Sequence, residues 1–526
     1  MLTSALRFLR PFLSSRAGLW SAVLTLILGV LTAGIALAAP LAQEAETSAS
    51  MISLLASALA FCVPIGLAFI VAGGLPEERA REATLSLLAA LALGTLGYWA
   101  VGFGIQFGGV GLAYDRAGLE GLVWEWSALP PAWGPTWGMV GLRGFGLLRE
   151  AATPGAYALF LSQLPWAITA ALVPLLALRG RAPAPVSLLA GLATGALLYP
   201  LVGNWVWGGG WLAKLGENLN LGHGLVDFAG AGTVHLLGAA VALAGVLVIW
   251  PARVRQTGQV PVTTEPPTPE SVALVADPDP AVALSNGPIV QASVASPDDD
   301  DLSVPLPPVH LPLLATLGAA LLMLGSIGWV LANPLVDWSV VPPVLAALNV
   351  LLAAAGGAAL PLAYTWFTAS RPDPLMAARG LAAGVIAAGA AGPLMPPWSA
   401  LAVGAVAGLL VPFILYATAQ WLRWDDRTAA VATSGLGGLW GLISVGLFAD
   451  GRWGQGWNRI GVGQFLGVAQ QGVTGILAAP GFHHDWPGQM QAQVIGATVI
   501  ALFCFVTAWL IFAVASALAR ALLGPQ

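Results

Sequence analysis

Asp227-Phe228-Ala229-Gly230-Ala231-Gly232-Thr233-Val234-His235 opens an apolar stretch and sets one imidazole eight residues in, about two helical turns. A histidine in hydrocarbon is expensive to keep, so an intramembrane ionisable side chain is by default a candidate for a substrate or proton path. Imidazole titrates near neutral pH and can accept or relay a proton there. Just upstream, Trp205-Val206-Trp207-Gly208-Gly209-Gly210-Trp211 places indoles around a glycine run that lets backbones approach closely. An indole face can replace part of a cation's hydration, worth ~2 kcal/mol when desolvated. Each residue also has a plainer reading: His235 as a hydrogen-bonded packing residue, Asp227 as a helix N-cap, Trp207 as an interfacial anchor. His223 and the His483-His484-Asp485 cluster read as solvated outer loop, since two adjacent histidines without a third well-spaced ligand make a weak metal site.

The composition fixes the solvent. Of the residues 57% are hydrophobic and 9% charged, whereas about a quarter are charged in an ordinary soluble domain. The chain is therefore a polytopic membrane protein in contact with the lipid bilayer. Its 20 basic residues are scattered through short loops and form no stripe for nucleic acid. Cys62 and Cys504 lie in apolar segments and suggest neither a disulfide nor a metal site. Nothing resembles an activated nucleophile with its base, a phosphate cradle or a metal cage, so neither an enzyme nor a cofactor is expected.

Arg7, Arg10 and Arg16, the apolar run from Val23 to Leu31 and Ala36-Leu37-Ala38 follow the order of a secretory signal over residues 1–38, with an uncleaved anchor as the alternative. Eleven apolar segments follow: Ser53–Gly73, Leu85–Phe107, Tyr157–Leu178, Val186–Leu201, Phe228–Trp250, Leu311–Ala332, Val341–Trp366, Gly380–Met395, Ser399–Leu422, Ala429–Phe448 and Ile495–Leu518. Alternate loops collect eleven basic residues (Arg79, Arg81, Arg179, Arg181, Arg253, Arg255, Arg371, Arg379, Arg423, Arg427, Arg520) against six opposite (Arg116, Arg143, Arg149, Lys214, Arg452, Arg459). The richer side is cytoplasmic, which puts the mature N-terminus outside and the C-terminus in the cytoplasm of a cell membrane. Residues 251–308, rich in Pro, Asp and Ser, read as a disordered cytoplasmic linker between a first half at 51–250 with five helices and a second at 309–523 with six. Trp124, Trp126, Trp133, Trp137, Trp453, Trp457 and Trp486 read as interfacial anchors.

The halves echo each other. Aligning Asp227 with Asp426 sets His235 opposite Ser434 and Gly238 opposite Gly437. One helix starts outside and the other inside, the pattern of inverted-repeat transporters whose shared site lies near the midplane. On its own, Ser434 is a small residue suited to helix packing.

Asp227-Phe228-Ala229-Gly230 together with Trp205 through Lys214 resembles the ammonium transporter (Amt/Mep/Rh) family. The resemblance runs from Ser53 to Leu523, through Gly102-Phe103-Gly104-Ile105-Gln106-Phe107-Gly108, Asn349, Arg371-Pro372-Asp373-Pro374-Leu375-Met376, Trp424-Asp425-Asp426 and Gly435-Leu436-Gly437-Gly438 in family order. It implies an all-α fold of eleven transmembrane helices, an inverted 5+5 repeat around a central pore plus a final helix, assembled as a homotrimer. It also implies an aromatic vestibule that recruits ammonium, at Trp207 with the acidic Asp227, gate positions at Trp166 and Trp329, and a cation-holding polar residue near Asn333. His235 matches the first pore histidine. The second is missing, with Ser434 in its place, and a hydroxyl cannot hold a proton as a stable cation. The family's long cytoplasmic tail is absent after Gln526, and a cytoplasmic regulator stays unidentified. The function implied is an ammonium/ammonia transporter or channel; a non-conducting ammonium sensor and a pore for another small neutral solute are the alternatives.

Overall fold

A backbone N–H or C=O without a partner in hydrocarbon costs several kcal/mol, so a chain of this composition must cross the membrane as helices. The computed structural model describes residues 45–130, 137–179, 181–257, 310–421 and 426–523. The expected leader, residues 1–38, lies outside them, as do Trp133 and the expected linker beyond residue 257. Among the described residues, eleven helices are long and apolar enough to span a bilayer. They are α1 (Met51–Gly73), α2 (Ala80–Leu112), α3 (Pro154–Leu178), α4 (Ala184–Val206), α5 (Ala231–Val248), α6 (His310–Leu331), α7 (Pro343–Ala369), α8 (Pro374–Leu394), α9 (Pro397–Gln420), α10 (Ala430–Phe448) and α11 (Gly488–Leu518). Each expected segment has its helix. Several extend further than their apolar cores, because polar ends outside the hydrocarbon still complete helical hydrogen bonds: α2 starts at Ala80 and α11 at Gly488. Helical backbone after α5 continues to Thr257, into residues expected as linker. Two short hairpins, β1–β2 (Glu125–Ser127, Gly138–Gly141) and β3–β4 (Gln464–Phe465, Val468–Ala469), complete the loops.

The fifth helix departs from its expected start at Phe228. It begins at Ala231, because Gly230 takes a left-handed φ of +76° and the four residues from Asp227 are unwound. Asp227 closes the helix from four residues upstream: one carboxylate oxygen, Oδ2, accepts from the Gly232 and Thr233 N–H groups at 3.1 and 2.7 Å and from the Thr233 hydroxyl at 2.6 Å. The start of α10 repeats the device. Asp426 accepts from the N–H groups of Ala430, Val431 and Ala432 at 3.0, 3.0 and 3.2 Å, and Ala429 takes the left-handed φ of +53°. Both helices then open with a π-helical turn, Ala231–Leu236 and Ala430–Gly435. The alignment of Asp227 with Asp426 thus holds residue by residue in the backbone, and it joins two inverted five-helix halves to a final α11.

With lipid as apolar as leucine, spans associate through close backbone approach at small residues. Gly66 of α1 faces the backbone of Gly318 in α6 so closely that a Cβ would sit 2.5 Å from the Gly318 carbonyl. Gly357 of α7 meets the Gly380 carbonyl of α8, and a Cβ added at Gly408 of α9 would sit 2.7 Å from the Gly357 Cα. Gly232 and Gly438 let α5 and α10 cross at their starts, against Leu442 and Leu236. Gly408→Val should therefore lower stability by ~1–3 kcal/mol or more, through overpacking against backbone that cannot move aside. Thermal unfolding in detergent reads this, with Gly463→Val, which meets open space, expected to unfold at the wild-type temperature.

Candidate functional site

The unwound Asp227–Gly230 segment lies between apolar helices, so its polar groups need partners. Phe228 and Ala229 donate their N–H groups to the Ala390 and Gly389 carbonyls of α8 at 3.1 and 2.6 Å. Two indoles serve the facing carbonyls: Trp207 Nε1 donates to Asp227 O at 3.1 Å and Trp329 Nε1 to Ala229 O at 2.8 Å. The backbone before α5 is thereby the frame on which the aromatic side chains hang.

Those aromatics form one series. Trp457 in the loop after α10 meets Trp207 edge-on, with ring centroids 5.7 Å apart, and Trp207 meets Trp166 of α3 edge-on at 6.4 Å. Trp166 stacks on Trp329 of α6 at 5.3 Å with the ring planes 9° apart, and Trp329 lies 6.1 Å from the His235 ring. Two cavities lie along this series. The larger, about 300 Å³, is lined by Trp207 and Trp457 with Arg116, Lys214, Asp337 and Arg459 among its polar residues. Its three cations are already engaged: Lys214 pairs with Glu217 at 2.6 Å, Arg459 donates to Leu112 O at 2.8 Å and Arg116 to Leu335 O at 3.3 Å. Asp337 accepts from the Ser339 hydroxyl and N–H at 2.6 and 2.9 Å, which holds its carboxyl below the usual range and keeps it charged at the rim. The smaller cavity, about 20 Å³, has Trp329 and His235 in its wall with Ser326 and apolar side chains of α1, α6, α7 and α8. That is room for one water-sized molecule. His235 is buried, and its Nδ1 has no protein partner.

Of the residues singled out in the sequence, Trp207, Trp166, Trp329 and His235 come together in this series. Asp227 is adjacent but turned inward as a cap, and burial, opposed by its hydrogen bonds to Thr233 and Gly232, pushes its carboxyl up. Asn333 is buried beside the larger cavity without lining it, its Oδ1 accepting from Leu335 N–H at 3.0 Å. Ser434 is buried on the first turn of α10 and does not line the smaller cavity. Trp457 and Ser326 were missed. Trp457, expected as an anchor, follows Gly454-Gln455-Gly456, a glycine-rich setting like that of Trp207 that could have marked it.

The outer loops need a second correction. His223 and Asp485 are buried rather than solvated, whereas His483 and His484 are exposed. The His223 ring lies 4.3 Å from Phe465 of β3 with neither nitrogen partnered, and burial pushes its pKa down to about 3. Burial moves Asp485 the other way, up to about 6.

The described residues form eleven membrane-spanning helices with an inverted-repeat core and two cavities along one aromatic series. A model of the Ammonium Transporter Family matches residues 51–274 and 305–523, and the chain belongs to that family. It is a family of transporters, not of enzymes. The chain is 27% identical over 465 residues to ammonium transporter Amt2 of Archaeoglobus fulgidus, covering 88% of this chain and 81% of the relative. An ammonium transporter of Bacillus subtilis is 24% identical over 345 residues, 64% of this chain and 71% of its own. Among solved structures, one named Sensor Amt Protein aligns over 90% of this chain and 94% of its own with a TM-score of 0.62 at 22% identity. Mep2 of Candida albicans aligns over 88% and 83% with a TM-score of 0.59 at 18% identity. At these identities the structures speak for the fold.

His223 gives a pH-dependent prediction. An unfolded histidine near 6.5 takes up a proton that the buried ring refuses down to about 3, so its share of stability is full above pH 6.5 and drains away as pH falls. Asp485 has the opposite sign and offsets part of this loss between about 6 and 3.8. His223→Leu should remove about 2 kcal/mol of the wild type's loss on going from pH 7 to pH 5. Melting temperatures of both proteins across that range, in one detergent, check it; equal slopes would mean the ring reaches water.

Proposed function

We propose that the chain carries ammonium-derived substrate across the cell membrane. The observation behind this reading is the series Trp457, Trp207, Trp166, Trp329 and His235, which links a wide, partly charged cavity to one with room for a single molecule. Ammonium enters hydrocarbon poorly while neutral ammonia crosses a dry pore at little cost, so the site must separate ammonia from a proton. Asp337 at the rim attracts the cation and the Trp207 indole replaces part of its hydration, worth ~2 kcal/mol when desolvated. Past the stacked indoles, His235 is the protonatable group in the wall of the apolar chamber, within reach of what enters. Proton handling then rests on one imidazole, since Ser434 has no comparable basicity. The positive-inside count supports a cytoplasmic C-terminus, and family membership supports a homotrimer.

A second reading, a non-conducting ammonium sensor, is favoured by one observation, the stacking of Trp166 on Trp329 across the route, and by the serine at 434, where the family resemblance implies a histidine. Flux in proteoliposomes separates the two. Ammonium-driven flux should exceed that of empty liposomes, and His235→Ala should abolish it or shift its pH profile. Trimers that fold but pass nothing would leave the sensor. Trp207→Leu keeps apolar bulk but removes the aromatic face, so half-saturation should rise by roughly thirtyfold, the equivalent of ~2 kcal/mol lost. An unchanged half-saturation in a folded variant would make Trp207 an anchor only.

A further inference from the structure

The chamber beneath Trp329 holds a second polar group that is not Ser434. Ser326 lies on α6 one turn before Trp329, is 1% exposed, and is in the chamber wall with His235. Its hydroxyl hydrogen is already committed, donated to the Met323 carbonyl of its own helix at 2.7 Å. What remains on the Ser326 oxygen is acceptor capacity. The other polar atom at hand, the Ala229 carbonyl, accepts the Trp329 indole N–H at 2.8 Å. The remainder of the wall, including Val63, Leu322 and Ile386, is apolar. A molecule here therefore meets two polar partners, the imidazole of His235 and the oxygen of Ser326.

We propose that Ser326 is a substrate-binding and specificity-determining residue: its oxygen accepts a hydrogen bond from the single molecule held beside His235, the place that the repeat alone assigns to Ser434. The chemistry selected is that of a small neutral molecule that both donates and accepts, as ammonia does with three N–H groups and one lone pair. One N–H points to Ser326, and the lone pair or another N–H meets the imidazole. At about 20 Å³ the chamber takes one water-sized guest, so an added methyl group is opposed by volume. The proposal rests on the conduction reading for its substrate but not for its geometry.

Two measurements on the full chain test it. In proteoliposomes, Ser326→Ala should lower ammonium flux by roughly three- to tenfold, the equivalent of one lost hydrogen bond, and raise methylammonium flux relative to ammonium by enlarging the chamber. Ser326→Thr should restore the acceptor, and Ser434→Ala should leave both fluxes at the wild-type level. Should Ser326→Ala fail to fold, Ser326→Cys, similar in volume and a weaker acceptor, should show the same loss. A high-resolution structure of the wild type in ammonium sulfate should show one molecule within hydrogen-bonding distance of both Ser326 Oγ and the His235 ring, absent in Ser326→Ala. That occupancy without flux would leave the site standing and remove the transport reading. An empty chamber in the wild type, or a flux loss in Ser434→Ala with none in Ser326→Ala, would overturn the proposal.

Discussion

Everything near the centre of this protein follows from one demand: the unwound segment Asp227–Gly230 must find partners for its polar backbone where water is scarce. The Asp227 carboxylate holds the first N–H groups of α5, carbonyls of α8 take the N–H groups of Phe228 and Ala229, and two indoles fill the facing carbonyls. A regular helix through these residues would have made the same bonds internally and left nothing for the tryptophans to hold. The irregular backbone is thus what fixes Trp207 and Trp329 in place, and with them the position of the stacked pair. The same demand at Asp426, met by the same capping, gives α10 its matching start and sets the crossing of the two helices.

The sequence was most legible where a single physical variable decides. Hydropathy over about 20 residues marks a span, and all eleven spans were found with ends that moved where polar residues complete a turn. The repeat was legible because the aspartates and glycines that mark it are local, while the left-handed residue three positions on, Gly230 in one half and Ala429 in the other, and the π turn came from the structure. The aromatic series was partly legible, since Trp207, Trp166, Trp329 and His235 were reached through family order. Trp457 was not, because its role depends on a loop 250 residues from Trp207 folding back over it.

Tertiary placement accounts for the other differences. Ser434 was paired with His235 because the repeat relates their positions, yet pseudo-symmetry relates backbones and does not guarantee that both side chains face one cavity. Ser326 carried no signal on α6, where a lone serine among alanines and leucines reads as a packing residue. His223 was taken as solvated because it sits in a glycine-rich loop, whereas β3 folds over it and brings Phe465 against its ring.

The Trp329 latch has a consequence for what can pass. If Trp329 is the ring that swings away from Trp166, it gives up its bond to Ala229 O, and that carbonyl is then stranded on a segment with no spare donors. A stranded buried acceptor costs about 1–3 kcal/mol, a toll set by the protein and waived only for a visitor that brings its own hydrogen. An ion or molecule with an N–H group can take over the carbonyl as the indole leaves. An inert gas or a hydrocarbon cannot. Under the transport reading, such a door would be selective through the partner it is offered in exchange for opening, before size or charge is weighed further in.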